Sequence, residues 1–359
     1  MIYRAIGLMS GSSLDGLDIV FAEFEVTGEK WNFTIQCSDC YPYSKEWTEK
    51  LKTAPSLYAA DYMQLHSDYG HLLGTMVNRF IHEHQLQFKV QLIASHGHTS
   101  FHSPSTKMTH QLGDGAAIAA ETGVNVVSDL RAMDIALGGQ GAPIVPIGEK
   151  LLFADYTYFL NIGGISNITA KTDPFVAFDI CPANRVLNML AETAGKAFDD
   201  GGKIASSGTI DETLLQKLNA LDYYCKPFPK SLANEFGTGN VFSLIQNSGC
   251  SIPDALATYT EHIAIQIKYA VETIRLKSDN QKMLVTGGGA LNTYLIKRMQ
   301  HHLPAVEITV PGTELINYKE ALIMALIGVL RWREENNVLS SVTGSSRNSI
   351  GGTVWMGLA

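Results

Sequence analysis

Three glycine-rich turns, each closing a strand-like run, limit what this chain can fold into more than any other feature. Tyr3 to Leu8 is a short β-like run. It gives way to Met9-Ser10-Gly11-Ser12-Ser13-Leu14-Asp15-Gly16, and Leu17 to Phe24 then resumes a strand pattern. Tyr158 to Ile162 leads into Gly163-Gly164-Ile165-Ser166-Asn167, after which Ile168-Thr169 returns and Phe175 to Ile180 supplies a third strand. Lys282 to Thr286 is a buried-strand pattern ending in Gly287-Gly288-Gly289, with a helical pattern from about Asn292. Both halves therefore open as strand, Gly/Ser turn, strand, a likeness of pattern rather than of identity.

Glycine at a strand end permits positive φ and lets backbone amides converge on an anion with no β-carbon in the way. One such loop alone reads as a plain tight turn. Three together, each at a strand end, suit a nucleotide triphosphate lying between two domains. The candidate nucleotide-binding residues are Gly11, Ser12, Ser13, Asp15 and Gly16, then Gly163, Gly164, Ser166 and Asn167, then Gly287, Gly288 and Gly289. No turn matches G-x-x-x-x-G-K-S/T or G-x-G-x-x-G, so neither a P-loop nor a Rossmann reading is supported.

Composition bounds the rest. At 359 residues, 45% hydrophobic and 17% charged, the chain builds a large core and is long enough for two domains, expected at 1–145 and 146–359. A net charge of -8 argues against a surface that tracks nucleic-acid phosphates. Polar and acidic residues close behind Met1 interrupt any signal-peptide core, and the apolar run Ala321 to Leu330 falls short of the ~20 residues a membrane span needs. A soluble, cytoplasmic protein is expected. The five cysteines, at 37, 40, 181, 225 and 250, give no disulfide framework; Cys37 and Cys40 form a C-x-x-C that reads as redox-active, as half a zinc site, or as strand-end residues.

Helical patterns cover Ala59 to His84, Gly113 to Thr122 opening at Asp114, Ala183 to Ala194, Asp211 to Leu218, Leu232 to Gln246, Pro253 to Leu276 and Lys319 to Glu334; Leu92 to Ser95 and Val306 to Val310 read as strands. Ser95-His96-Gly97-His98-Thr99-Ser100-Phe101-His102 holds three histidines that would share a face of one strand, which keeps a metal-dependent hydrolase open as a reading.

Five stretches carry a family resemblance, in order along the chain. They are Met9-Ser-Gly-Ser-Ser-Leu-Asp-Gly-Leu-Asp18; Asp129-Leu130-Arg131 with Gly138-Gly139-Gln140-Gly141-Ala142-Pro143; Asn161-Ile162-Gly163-Gly164-Ile165-Ser166-Asn167; Phe178-Asp179 with Pro182-Ala183-Asn184; and Val285-Thr286-Gly287-Gly288-Gly289-Ala290. Together they resemble the anhydro-N-acetylmuramic acid kinases of the sugar kinase, Hsp70 and actin superfamily. The resemblance implies an α/β protein of two ribonuclease-H-like domains, the actin-like ATPase fold, flanking a central ATP and sugar cleft.

It further implies a coupled reaction: water opens the 1,6-anhydro bond, and the freed 6-oxygen takes the γ-phosphoryl group of ATP. The product is N-acetylmuramic acid 6-phosphate, a step of peptidoglycan recycling. Asp179 is then the base that deprotonates the water; its plain alternative is to cap the helix after Pro182. Mg2+ is expected with ATP, held preferentially by Asp15 with Asp18 the other acidic candidate. His96, His98, Arg131 and Glu320 line the sugar. Arg131 suits a carboxylate, or could equally pair with Asp129 or Asp134. Glu320, read as opening the last helix, could instead only face the helix dipole. The chain departs from the family at His98, where glutamine is frequent, and at Ile180-Cys181, where the family has Thr-Gly. The resemblance makes a homodimer plausible. A conventional sugar kinase, with Asp179 deprotonating an ordinary hydroxyl, and a non-catalytic ATP-binding regulatory module are the alternatives.

Overall fold

The computed structural model of the protein describes residues 1–11, 14–228, 230–233, 235–276 and 281–357. The chain divides into two compact units, Met1–Ala154 with Tyr318–Ala359, and Asp155–Asn317.

The strands of the first unit are β1 (Ile2–Ser10), β2 (Gly16–Thr27), β3 (Lys30–Pro42), β4 (Leu92–Ser95), β5 (His98–Ser103), β6 (Met108–Leu112) and β7 (Asn125–Ser128). The second unit holds β8 (Tyr158–Ile162), β9 (Ile165–Ala170), β10 (Val176–Pro182), β11 (Gln281–Thr286) and β12 (Val306–Thr309), and the last strand, β13 (Thr353–Trp355), belongs to the first. The first unit's main sheet runs β13-β7-β4-β1-β2-β3, and the second unit's runs β10-β9-β8-β11-β12. In each, three antiparallel strands come first and the next two add in parallel beside the first of them. Counted from its own first strand, each sheet contains the order third, second, first, fourth, fifth, and in the first unit β13 adds a sixth, antiparallel strand beyond the fifth. That is the ribonuclease-H-like arrangement, present twice.

The central strands are buried on both faces, so they read as apolar runs rather than alternations. Ala5, Ile6 and Leu8 in β1 are fully buried. One face of β1 lies so close to the helix Thr313–Trp332 that a β-carbon on Gly7 would stand 1.9 Å from the Ala321 carbonyl oxygen. In the first unit Ile6, Leu8, Ile19 and Phe21 pack with Leu73, Val77 and Phe80 of the helix Ala59–Glu83. In the second, Leu160, Ile162 and Val285 pack with Leu256, Tyr259 and Ile263 of the helix Ile252–Ile274.

The sequence placed the domain boundary at 145/146, and the units divide after Ala154. The helix Pro146–Leu152 stays with the first unit because Glu149 is ion-paired to Lys319 at 3.0 Å, both side chains 4% exposed. The Phe153 ring also lies 5.4 Å from that of Phe33. The sequence missed β3 and the helix Lys45–Thr53 after it. An outer strand with a polar face, β3 shows no continuous apolar run. The helix expected from Leu232 is a π-helical turn, Phe236–Val241, followed by a short helix, Phe242–Gln246. Gly237 and Gly239 weaken regular helix there.

Candidate active site

In the first unit the β1–β2 hairpin turns between Ser10 and Gly16. Ser12 and Ser13 lie outside the described residues. Leu14 takes the left-handed conformation (φ 58°), and its N–H reaches the Gly11 carbonyl oxygen at 3.4 Å. Gly16 is glycine for a different reason than positive φ: a β-carbon would stand 2.6 Å from Tyr41 O and 2.9 Å from Cys40 Sγ, because β3 passes so close. Asp15 is exposed at the tip, and its carbonyl oxygen accepts from Tyr43 N at 3.3 Å.

Asp18 stands on β2 opposite Cys40. Burial raises its carboxyl pKa to about 6, the charges of Asp15 and Glu320 push the same way, and a hydrogen bond from the Cys40 thiol opposes them. That thiol is itself pushed up to about 12, first by burial. Cys37 and Cys40 are not joined in a disulfide, and the C-x-x-C is not part of a cation cluster among the described residues.

Arg131 is partly buried and is anchored twice, Nε to His96 Nε2 at 2.8 Å and Nη1 to Gly141 O at 2.8 Å. His96 donates its Nδ1 proton to Gly97 O at 2.8 Å, so its Nε2 is the acceptor for Arg131. Burial, then the neighbouring guanidinium, hold the His96 pKa down near 3. Burial also lowers the Arg131 pKa to about 10, and the Glu320 charge works against that fall. Asp129 and Asp134 are not its ion-pair partners. The Asp129 carboxylate accepts from Ser128 Oγ at 2.9 Å, whereas Asp134 accepts from Gly141 N at 2.8 Å and Thr343 Oγ1 at 2.7 Å. Asp134 instead organises the Gly138–Gly141 loop, where a β-carbon on Gly139 would stand 2.2 Å from Asp134 Oδ2.

His98 is buried and neutral, its pKa lowered by burial, with Nδ1 3.4 Å from Ser10 Oγ. Ser10 accepts from Tyr43 OH at 2.9 Å, and Tyr43 OH lies 2.6 Å from the fully buried Tyr69 OH. This relay from the hairpin to the long helix had no signal in the sequence. The three histidines do not share a strand face. His96 follows β4, Gly97 turns the chain at φ 69°, and His98 opens β5, whose ladder shifts between Thr99 and Phe101 before His102. Among the described residues no cluster of three or more His, Cys, Asp or Glu could hold a metal ion.

Glu320 does not open a helix. The helix begins at Thr313, so Glu320 lies well inside it, and the dipole-facing alternative falls away.

In the second unit, β11 pairs in parallel with β8 and Thr286 stands beside Asn161, so the Gly163-Gly164 and Gly287-Gly288-Gly289 turns leave the sheet side by side. Gly287 has φ 79°, and a β-carbon on it would stand 2.6 Å from Asn161 Oδ1; Gly289 is pressed against Ile162. Gly163 and Gly164 are not left-handed; what they supply is room, the nearest atoms to added β-carbons lying at 3.5 Å and 3.7 Å. Asn184 braces the first of these turns, donating from Nδ2 to Ile162 O at 3.0 Å while its N–H reaches Gly163 O at 3.0 Å. The Ser166 side chain is fully buried, and its Oγ has no hydrogen-bond partner among the described residues. Asn167 pairs with Asn161 across the hairpin, and with Asp179 on the other side.

Asp179 sits on β10 where the ladder to β9 shifts between Asp179 and Cys181. It does not cap the helix Asn184–Thr193, whose start has no side-chain cap. Its Oδ2 instead accepts from Leu232 N at 2.8 Å. Burial raises the Asp179 pKa, and the bond from Leu232 N–H limits the rise. A carboxylate with a raised pKa is suited to accept a proton near neutral pH.

The sequence profile of the family described as Anhydro-N-acetylmuramic acid kinase matches residues 3–357. The anhydro-N-acetylmuramic acid kinase of Aliivibrio fischeri is 34% identical, over 98% of this chain and 99% of its own length. That of Shewanella sediminis is 33% identical, over 98% of each chain. A ROK family glucokinase from Streptomyces griseus, solved with glucose and AMPPNP, overlaps with a TM-score of 0.42 at 11% identity, covering 91% of this chain and 99% of that one.

Proposed function

The chain belongs to the anhydro-N-acetylmuramic acid kinase family, and from that premise we propose that it opens 1,6-anhydro-N-acetylmuramic acid with water while phosphorylating the 6-oxygen from ATP. The observation that carries this reading is the half-buried Asp179 carboxylate with a raised pKa, aligned by Leu232 N–H and committed to no helix cap. The water oxygen bonds to the anomeric carbon as the bond from that carbon to the bridging 6-oxygen breaks. Asp179 takes the water's proton, and the 6-oxygen takes the γ-phosphoryl group, giving N-acetylmuramic acid 6-phosphate and ADP. Attack opposite the bridge inverts the anomeric centre. The leaving oxygen passes directly to phosphorus and needs no enzyme acid, which is consistent with a single carboxylate at the reacting centre.

Other residues take supporting roles. The turns at Gly163-Gly164 and Gly287-Gly288 accommodate ATP phosphates by open backbone with Asn167 beside them, while the buried Ser166 and Gly289 shape the turns from beneath, and Gly11, Ser12, Ser13 and Gly16 are the first unit's counterpart. Arg131, held in one orientation by His96 and Gly141, receives the lactyl carboxylate, with His98 and Glu320 beside the sugar. Asp15 and Asp18 suit Mg2+: Asp15 and Glu320 both raise the Asp18 pKa, and a divalent cation would relieve that crowding of negative charge. Bound there, Mg2+ would neutralise charge on the β- and γ-phosphates. The role fits peptidoglycan recycling in a bacterial cytoplasm.

The test is turnover in oxygen-18 water. Label at the anomeric hydroxyl of the product is expected; phosphorylated product with no label there would mean a conventional hydroxyl kinase.

A further inference from the structure

β10 is an edge strand of its sheet, with β9 its one neighbour, and the ladder to β9 is interrupted beside Asp179, so strand pairing does not fix this residue fully. A bulge re-aims a side chain, and an edge leaves backbone groups to be satisfied. Here they are satisfied by one distant segment. Asp179 N donates to Lys230 O at 3.0 Å, Tyr223 OH donates to Asp179 O at 2.7 Å, and Leu232 N donates to Asp179 Oδ2 at 2.8 Å. The Lys230 ammonium closes the circuit: it donates to Tyr223 O at 3.3 Å and lies 4.6 Å over the Tyr223 ring.

We infer that Tyr223 and Lys230 are positioning residues, a strap that holds the Asp179 peptide on both sides and so sets the direction of its carboxylate. This rests on the reading of Asp179 as the base. With Oδ2 committed to Leu232, the water's proton goes to Oδ1. The ionisable groups facing Asp179 are Tyr223 and Lys230 of the strap and Cys181 of its own strand. Burial keeps the Tyr223 phenol and the Cys181 thiol well above their usual ranges, so both stay protonated and Tyr223 remains a donor.

Tyr223→Phe removes one hydroxyl and keeps the ring beneath Lys230; Lys230→Met removes the ammonium. Each should lower kcat by on the order of tenfold with KM for ATP unchanged, because a small misplacement of a catalytic group is costly. The acid limb of kcat/KM should move to higher pH, since a loosened strap weakens the Leu232 N–H bond that favours the ionised carboxylate. Lys230→Arg should restore most of the rate. Wild-type kcat with an unmoved acid limb in Tyr223→Phe overturns the strap, as does a loss of rate that only follows a lower thermal midpoint while the acid limb stays in place. If Tyr223→Phe does not fold, Lys230→Met is read by the same criteria. Asp179→Asn separates the two claims: product formed by that variant removes the base itself, whereas an inactive Asp179→Asn beside an unaffected Tyr223→Phe removes only the strap.

Discussion

Arg131 Nε and His96 Nε2 lie 2.8 Å apart, and the histidine's other nitrogen is tied to Gly97 O, so one ring tautomer is dictated from both ends. Burial disfavours a charge on that ring, and protonating it would also set a second positive charge against the neighbouring guanidinium, so its pKa falls to about 3. An unfolded histidine titrates near ~6.5. As pH falls through that window the unfolded chain takes up the proton first, so stability is full above the unfolded pKa and declines towards the folded one. His262, also buried and lowered to about 3, adds to the same slope. His96→Asn should flatten it in part. Urea midpoints at about pH 7 and about pH 4.5 measure this; an unchanged acid slope in the variant refutes it.

Asp179 shifts in the opposite sense to a stabilising carboxylate. Its raised pKa means that folding favours the protonated form, so its contribution to stability is present at low pH and lost as pH rises through the folded pKa. Asp179→Asn keeps an oxygen for Leu232 N–H and never ionises. We expect a higher thermal midpoint than wild type at neutral pH together with a loss of at least about 10²-fold in turnover. A lower midpoint would show that the ionised carboxylate is stabilised in the fold.

Asp18 follows the same sign with a defined window. Above about pH 6 its ionised form sits beside Asp15 and Glu320, so Asp18→Asn should stabilise the protein at about pH 8 and much less at about pH 5. Adding Mg2+ without nucleotide should raise the wild-type midpoint at the higher pH and leave the variant's unmoved. Equal Mg2+ responses in the two proteins would remove Asp18 from the cation site.

Two glycines of the second unit should separate backbone strain from function. Gly287→Ala forces a side chain into a left-handed backbone, costing about 1–2 kcal/mol, and presses on Asn161 Oδ1 at 2.6 Å. It should lose both stability and activity. Gly164→Ala meets nothing nearer than 3.7 Å and is not left-handed, so stability should stay within about 0.5 kcal/mol of wild type. Its KM for ATP should nonetheless rise about tenfold as the β-carbon obstructs a phosphate. An unchanged KM would take that turn out of the nucleotide site.

The strand–turn–strand openings and the position of Asp179 were legible because glycines and short apolar runs punctuate the sequence locally. What was not legible depended on partners far along the chain. Tyr223 and Leu232 meet Asp179 across 44 and 53 residues, and nothing in Asp222-Tyr223-Tyr224-Cys225 announces a contact with a β-bulge. Glu320 was misread because polar Glu314, Asn317 and Lys319 conceal the first turns of a helix that begins at Thr313. Gly16 was assigned to loop freedom, although its reason is the approach of β3, a strand the sequence did not reveal.

The strand Thr353–Trp355 lies antiparallel to β7 at the margin of the first unit's sheet, and Trp355 Nε1 reaches Ser128 Oγ at 3.0 Å. During synthesis this margin stands open while the whole of Asp155–Asn317 is being made. The second unit can therefore finish folding on the ribosome first, since all of its strands lie within one continuous stretch. The first unit waits with an uncovered edge, and until residues 353–355 arrive that edge is the place where a nascent chain would pair with the wrong partner.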